Sequence, residues 1–293
     1  MTLKELYIKY DKGINKSIES VLREDDIYND VTTNLLLNGE KGNRKISAML
    51  LCKESCILAG LEIFKKVYKK IDKNVHFKSF HKDGDRLRNK DKVLLVKSSL
   101  RNLLIGERTA LNFLQRMSGI ATMTNEFVKK MKFKGAKILH TRKTTPNFRI
   151  FEVAAVKIGG GDIHRLSLNS AVMIKDNHIK SVGTVYDVFD KLEAKGITKR
   201  LKKKFEIEVK SLNEVEVVVK MGKNLVEVVM LDNFKPRDID KAVNILKKSG
   251  IRIEVSGGIN MQNFPGFQRK GIDYYSIGML THSYKSVDFS LEF

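Results

Sequence analysis

The chain has 293 residues, 42% hydrophobic and 30% charged, with a formal net charge of +21 and two cysteines. That length calls for one large barrel or two packed domains, and the balanced composition excludes a disordered or low-complexity protein. The opening stretch, Met1-Thr2-Leu3-Lys4-Glu5-Leu6-Tyr7, is charged where a signal peptide needs its apolar segment, and no later window holds a membrane-length run of apolar residues, so a cytoplasmic protein without a membrane span is expected.

In chain order, residues 1 to about 30 are predicted to be a helical packing arm, with Tyr7, Ile8, Ile14, Ile18, Val21 and Leu22 at roughly helical spacing. From Lys45 the pattern changes to short apolar runs, Ile46 to Leu51 and Cys56 to Leu61, which predict strands on either side of the turn Lys53-Glu54-Ser55. Cys52 and Cys56 fit neither a zinc knuckle nor a redox pair and are expected as reduced, partly buried thiols. A helix over Leu61 to Ile71, a turn at Lys82-Asp83-Gly84-Asp85 and a strand from Lys92 to Val96 complete a small α+β domain. Between Leu103 and Thr122, Leu104, Leu111, Leu114 and Met117 define one buried helical face. Arg108 and Arg116 fall off that face, as cleft charges or as solvated surface.

After Gly135, strands alternate with helices. The strands are Ala136 to His140, Val172 to Lys175, Phe205 to Val209, Val226 to Leu231, Arg252 to Val255 and Tyr274 to Ile277; the helices include Val185 to Ala194, Leu212 to Met221 and Asp238 to Lys248. Such alternation means parallel strands with helical crossovers, closed as a barrel or left as an open sheet. The fold class is α/β, with residues 1–122 as a helical arm and α+β domain, residues 123–293 as the α/β domain, and the extreme C-terminus packing back on the first.

The positive charge raises the possibility of a nucleic-acid partner. Lysines are spread along the whole chain, however, and the densest run, Lys202-Lys203-Lys204 after Lys199-Arg200, reads as a solvated loop without interleaved aromatics. The charge suits small polyanionic substrates instead, and no nucleic-acid partner is expected.

Chemistry collects at the carboxyl ends of the strands, where α/β barrels carry reactive groups. Successive strands lead into Thr141-Arg142-Lys143-Thr144-Thr145-Pro146, Lys175-Asp176-Asn177-His178, Glu208, Asp232-Asn233, Ser256-Gly257-Gly258 and Gly278. A glutamate inside a buried strand must meet a lysine, a metal or a sugar hydroxyl; a plain Lys–Asp ion pair is the ordinary alternative for Lys175 and Asp232. Glycines at 257 and 258 let backbone N–H groups approach a phosphate, or simply form a tight turn. The run Gly159-Gly160-Gly161 permits a sharp path and free backbone donors, and places His164 and Arg165 beside it. Arginine forks there suit planar carboxylates. The six histidines form no metal cage, so Mg2+ is expected to arrive with a substrate, on Glu208 and Asp232 directly or through water.

Gly106-Glu107-Arg108-Thr109-Ala110-Leu111-Asn112-Phe113-Leu114-Gln115-Arg116-Met117-Ser118-Gly119-Ile120-Ala121-Thr122 resembles the signature helix of quinolinate phosphoribosyltransferases. The Thr-Arg-Lys-Thr-Thr-Pro motif, the triple glycine with His164-Arg165, Ile174-Lys175-Asp176-Asn177-His178, Met230-Leu231-Asp232-Asn233, Ser256-Gly257-Gly258-Ile259 and Leu280-Thr281-His282-Ser283 follow in family order. The resemblance spans about residues 25 to 293. It implies an N-terminal α+β domain, an incomplete TIM-like barrel and a head-to-tail homodimer in which Arg108 reaches the partner's site. It also implies that quinolinate lies among Arg142, His164, Arg165 and Lys175, with Lys143 near the junction with phosphoribosyl pyrophosphate. Glu208 and Asp232 are implied to face ribose and magnesium, and Ser256, Gly257, Gly258 and Gly278 the 5-phosphate; Lys143, Glu208 and Asp232 form the catalytic set. His140, Asn147, Ile163 and Lys210 depart from the commonest family pattern. Rival readings are a transferase for another pyridine or azole acid, a molybdenum-transport relative, which usually lacks the Lys-Asp-Asn-His motif, and a basic nucleic-acid-binding protein.

Overall fold

The computed structural model describes residues 1–37, 39–196 and 204–293; most of the basic run expected as a solvated loop, up to Lys203, lies outside the described residues. The chain divides into two compact units, one formed by residues 1–126, 144–161 and 280–293, the other by residues 127–143 and 162–279.

The first unit opens with the helix Leu3–Glu24, started by a capping box in which the Thr2 hydroxyl accepts the Glu5 N–H and the Glu5 carboxylate accepts the Thr2 N–H. Leu6, Ile14, Ile18 and Leu22 are its buried stripe. Ile8, expected on that stripe, is 67% exposed, because two residues carry it about 200° around the helix from Leu6. A four-stranded antiparallel sheet runs in the order β12-β1-β5-β3, with β1 Lys45–Cys52, β3 His76–Ser79, β5 Lys92–Ser99 and β12 Phe289–Glu292. The strand expected over Cys56 to Leu61 is shorter: β2 is Cys56–Ile57 and pairs with β4, Arg86–Leu87. Gly60, at φ +95°, turns the chain into the helix Leu61–Ile71. The signature helix is also longer than its sequence pattern, running Leu100–Lys130.

The second unit is a six-stranded sheet in the order β6-β11-β10-β9-β8-β7, and every pairing is parallel. Its strands are β6 Lys137–Leu139, β7 Met173–Ile174, β8 Phe205–Val209, β9 Val226–Asp232, β10 Arg252–Ser256 and β11 Tyr274–Ser276. All five residues of β8 are buried, as expected of a parallel strand covered on both faces. Ser211 caps the crossover helix Leu212–Met221 through the Glu214 N–H. The next crossover starts at Pro236, two residues before the expected Asp238, because proline is pre-shaped for the first helical turn. A parallel bridge from Leu139 to Asp162 extends the β6 side. The architecture is α/β: a unit with an antiparallel sheet, and an incomplete TIM-like barrel of parallel strands.

Candidate active site

The parallel register decides which side chains meet. Glu208 on β8 and Glu254 on β10 both lie opposite Met230 of β9, and Ser256 lies opposite Asp232. Alternation along each strand puts Glu206 with Glu208, and Glu254 with Ser256, on the same face. Glu208 is 7% exposed, and Lys175, just beyond β7, brings its Nζ to 3.6 Å from the Glu208 Oε2. Burial pushes the Glu208 carboxyl up from its ordinary value, the charge of Asp232 adds to this, and Lys175 opposes it. Two mutually felt carboxylates with an incomplete counter-charge are the hard-oxygen environment that Mg2+ accepts. The Lys210 Nζ lies 2.8 Å from Asp176 Oδ2, so this departure from the family pattern pairs with the acid that opens the helix Asp176–Val182.

At the end of β10 the Ser256 hydroxyl donates to the Ser276 carbonyl at 3.2 Å, spending its proton within the protein. Gly257 has φ +95°, and a Cβ there would stand 2.4 Å from the Asn233 Oδ1 and 2.7 Å from its backbone nitrogen. Only glycine satisfies both the backbone angle and the contact. Gly258, at φ +61°, has open space where its Cβ would be, and its carbonyl accepts from Asn263 Nδ2 at 2.8 Å. The result is a main-chain loop braced by Asn233, whose N–H donates to the Ser256 carbonyl at 2.9 Å. Gly278 follows β11 in the same unit.

Arg142 and Arg165 stand close enough to repel. Burial weakens proton binding by the Arg165 guanidinium, the like charge of Arg142 adds to this, and Glu206 opposes it; both remain cations. The Arg142 Nε is buried without a hydrogen-bond partner among the described residues, a donor held dry. Lys143 is exposed, and its N–H donates to the Thr141 hydroxyl at 3.1 Å.

His164 does not have the free ring expected of a substrate ligand. Its Nε2 lies 3.2 Å from Glu206 Oε2 and 3.4 Å from Glu254 Oε2, while the Arg165 N–H points at Nδ1 from 2.7 Å. Burial disfavours the charged ring, but the two carboxylates outweigh it and push its pKa up to about 10. The amide N–H pulls the other way, since it needs a lone pair on Nδ1. The hydrogen-bond geometry decides between them: Nδ1 keeps its lone pair for the Arg165 N–H, and Nε2 carries the proton that faces the two carboxylates. The His140 Nε2 accepts the His164 N–H at 3.1 Å. Glu206 and Glu254 were not among the sequence candidates, although each is an acid flanked by apolar residues in a buried strand.

In the first unit, Arg108 is exposed on the helix Leu100–Lys130 and lines a recess of about 490 Å3 with Glu24, Asp25, Asn112, Arg116 and Tyr284. Arg116 is neither a free cleft charge nor solvated surface. Its Nη2 donates to Glu152 Oε1 at 2.5 Å and to the Thr145 hydroxyl, and its guanidinium sits 4.9 Å and 5.0 Å from the Phe148 and Tyr284 rings. The Thr145 N–H donates to Glu152 Oε2 at 3.2 Å. Asn147 has φ +61°, a left-handed backbone angle that asparagine tolerates better than other side chains do. The triple glycine exposes no spare donors: the N–H groups of Gly159, Gly160 and Gly161 go to Ala155, Lys157 and Val156 carbonyls. A Cβ at Gly159 would meet the Ala121 carbonyl oxygen at 2.4 Å, so close helix packing needs that residue. Cys52 and Cys56 are free and fully rather than partly buried, their sulfurs 3.6 Å apart.

Two family models match the chain: the quinolinate phosphoribosyl transferase N-terminal domain over residues 26–118 and its C-terminal domain over residues 120–292. The chain is 37% identical over 252 residues to a probable nicotinate-nucleotide pyrophosphorylase (carboxylating) of Bacillus subtilis, covering 86% of this chain and 84% of the relative. It is 37% identical over 286 residues to a Methanocaldococcus jannaschii protein described in the same words, covering 94% and 96%. The crystal structure of NadC from Streptococcus pyogenes superposes with a TM-score of 0.87 at 40% identity, covering 98% of this chain and 96% of that one.

Proposed function

The chain belongs to the quinolinate phosphoribosyltransferase family, and from that premise we propose how the residues of its barrel unit divide the family's reaction among them. The enzyme moves the phosphoribosyl group of phosphoribosyl pyrophosphate to quinolinate and releases pyrophosphate and carbon dioxide, giving nicotinate mononucleotide for de novo NAD synthesis.

Arg142, Arg165 and Lys175 take the two ring carboxylates. Planar guanidinium forks fix the plane of the pyridine ring as well as its distance, which one ammonium cannot do. Lys143 lies where the ring meets the sugar, Glu208 and Asp232 face the ribose, and the backbone from Ser256 to Gly258 with Gly278 cradles the 5-phosphate. Glu208 and Asp232 would hold Mg2+, directly or through water, and the ion would supply charge neutralisation for the pyrophosphate. The ribose C1–O bond breaks with its electron pair leaving on pyrophosphate, and the pyridine nitrogen lone pair forms the new bond to C1. The ring nitrogen is then positively charged, so the electrons of the adjacent C–CO2 bond can enter the ring as carbon dioxide departs; a proton from solvent replaces it. No general base is required for the first step. Alignment of two bound reactants is worth about 7–11 kcal/mol of barrier, more than one proton transfer supplies.

The observation that carries this reading is the neighbouring pair Arg142 and Arg165, with the Arg142 Nε buried, in the same barrel unit as the Lys175–Glu208–Asp232 cluster. We further propose a cytoplasmic homodimer in which Arg108 reaches the partner's site; its exposure on the signature helix supports this. No described helix is long and apolar enough to cross a membrane. The test is turnover of quinolinate labelled at its 2-carboxylate with phosphoribosyl pyrophosphate and Mg2+. Labelled carbon dioxide and nicotinate mononucleotide should form together, and both should be lost in Arg142→Ala and Lys175→Ala. Full activity in either variant would remove that residue from the site.

A further inference from the structure

The two acids that sequence reasoning missed have a shared occupant. Glu206 and Glu254 stand on β8 and β10, two strands separated by β9, and each presents an Oε2 to the same imidazole nitrogen of His164. The Glu254 side chain is 1% exposed and that of Glu206 10%. Each also keeps an Oε1 buried with no hydrogen-bond partner among the described residues. Isolated buried carboxylates are costly, and such groups call for an explanation. For Glu206 a neighbouring cation provides one. Glu206 is felt by the Arg165 guanidinium, and Arg165 in turn stands near Arg142. The backbone completes the arrangement: the Arg165 N–H is turned onto His164 Nδ1 at 2.7 Å, and the His164 N–H onto His140 Nε2 at 3.1 Å.

Both ring nitrogens of His164 are therefore occupied by the protein. We propose that Glu206, His164 and Glu254 form a positioning triad inside the barrel, which fixes the backbone at residues 164–165 so that Arg165, beside Arg142, meets a carboxylate of the substrate. His164 itself does not touch the substrate. Glu206 has a second effect: it offsets the repulsion between two arginines held together before any dicarboxylate arrives, so the pair is set in advance rather than assembled on binding. This rests on the reading that Arg142 and Arg165 hold the ring carboxylates, and it departs from that reading in moving His164 from ligand to support.

The protein labelled with 15N-histidine and 15N-arginine tests it, with His164 signals assigned from His164→Gln. Without any ligand, Glu254→Gln should move the His164 ring nitrogens while the far-ultraviolet spectrum and unfolding midpoint stay near wild type; unchanged ring signals would break the triad whatever the enzyme's activity. Phthalate, an unreactive aromatic dicarboxylate, should then shift the Arg165 side-chain signal and leave the His164 ring nitrogens in place. Ring shifts as large as those of Glu254→Gln would make His164 a direct ligand and overturn the proposal. In kinetics, Glu254→Gln should raise KM for quinolinate by about 10–100-fold through misplacement of Arg165, with KM for phosphoribosyl pyrophosphate unchanged. Wild-type turnover combined with an unaltered quinolinate KM in Glu254→Gln sinks the positioning role alone, whereas wild-type protein that neither binds phthalate nor forms nicotinate mononucleotide sinks the functional reading beneath it.

Discussion

Replacing Arg116 with methionine strands a carboxylate. Glu152 is fully buried, and Arg116, 27% exposed at its side chain, is its 2.5 Å partner. Breaking a buried pair from one side costs about 3–5 kcal/mol, and the partial exposure of the arginine lowers this somewhat. Loss of the guanidinium from between Phe148 and Tyr284 removes about 0.5–1 kcal/mol per ring, part of which the methionine thioether restores. A net loss of about 3–4 kcal/mol is expected for Arg116→Met, read as a lower urea midpoint at unchanged m. Glu152→Gln keeps an oxygen for the Thr145 N–H and removes the stranded charge. The double variant Arg116→Met/Glu152→Gln should therefore be more stable than Arg116→Met by about 2 kcal/mol. If the two single losses simply add, the buried charge is not what the arginine answers, and the argument fails.

Gly257→Ala should cost roughly 2–5 kcal/mol, from a left-handed backbone angle and overlap with Asn233; because the strain falls on the phosphate loop, KM for phosphoribosyl pyrophosphate should rise about tenfold or more while that for quinolinate holds. Equal rises in both constants would detach that loop from the phosphate. Asp83 accepts the Leu61 N–H at 2.9 Å, but its Oδ2 is buried with no hydrogen-bond partner among the described residues, and burial raises its pKa to about 6. The folded state thus holds the proton more tightly than the unfolded chain, so stability falls as pH rises from about 4 to about 6. Asp83→Asn should flatten that slope and gain about 1–3 kcal/mol at pH 7.5; a less stable variant at that pH would show that the ionised carboxylate contributes favourably. Asn147→Ala should lose about 1 kcal/mol at a φ of +61°, whereas Asn147→Gly should stay near wild type, both checked by chemical unfolding.

The barrel strands were legible because a parallel strand covered on both faces is a near-continuous apolar run, and β8 spans the residues its pattern predicts. Three strands of the first unit were not. β3, His76-Phe77-Lys78-Ser79, has no buried residue and so no alternation to read. β4 is two residues long, and β12 is defined by its pairing with β1, which is distant in sequence. Glu208 and Asp232 were readable as acids at the ends of apolar runs. Glu206, Glu254 and Glu152 carried a related signal, an acid flanked by apolar neighbours, but their partners His164 and Arg116 come from distant segments that only the fold brings near.

That difference bears on how the net charge of +21 should be read. A large positive total invites the view that an anion site is simply the place where lysine is densest. Here Arg165, beside Arg142, lies near the buried carboxylate Glu206, which with Glu254 binds His164, whereas the densest lysine run contributes none of the site's candidates. Affinity for a dicarboxylate then depends on the direction and partial burial of two guanidinium forks more than on the sum of charge. Salt should separate the two contributions: diffuse surface charge is screened over about 8–10 Å at ordinary ionic strength, while dry, hydrogen-bonded contacts are screened much less. Raising salt from low to physiological levels should therefore slow association of phthalate while leaving its dissociation rate nearly unchanged. A dissociation rate that climbs in step with salt would place the binding energy on the surface lysines after all.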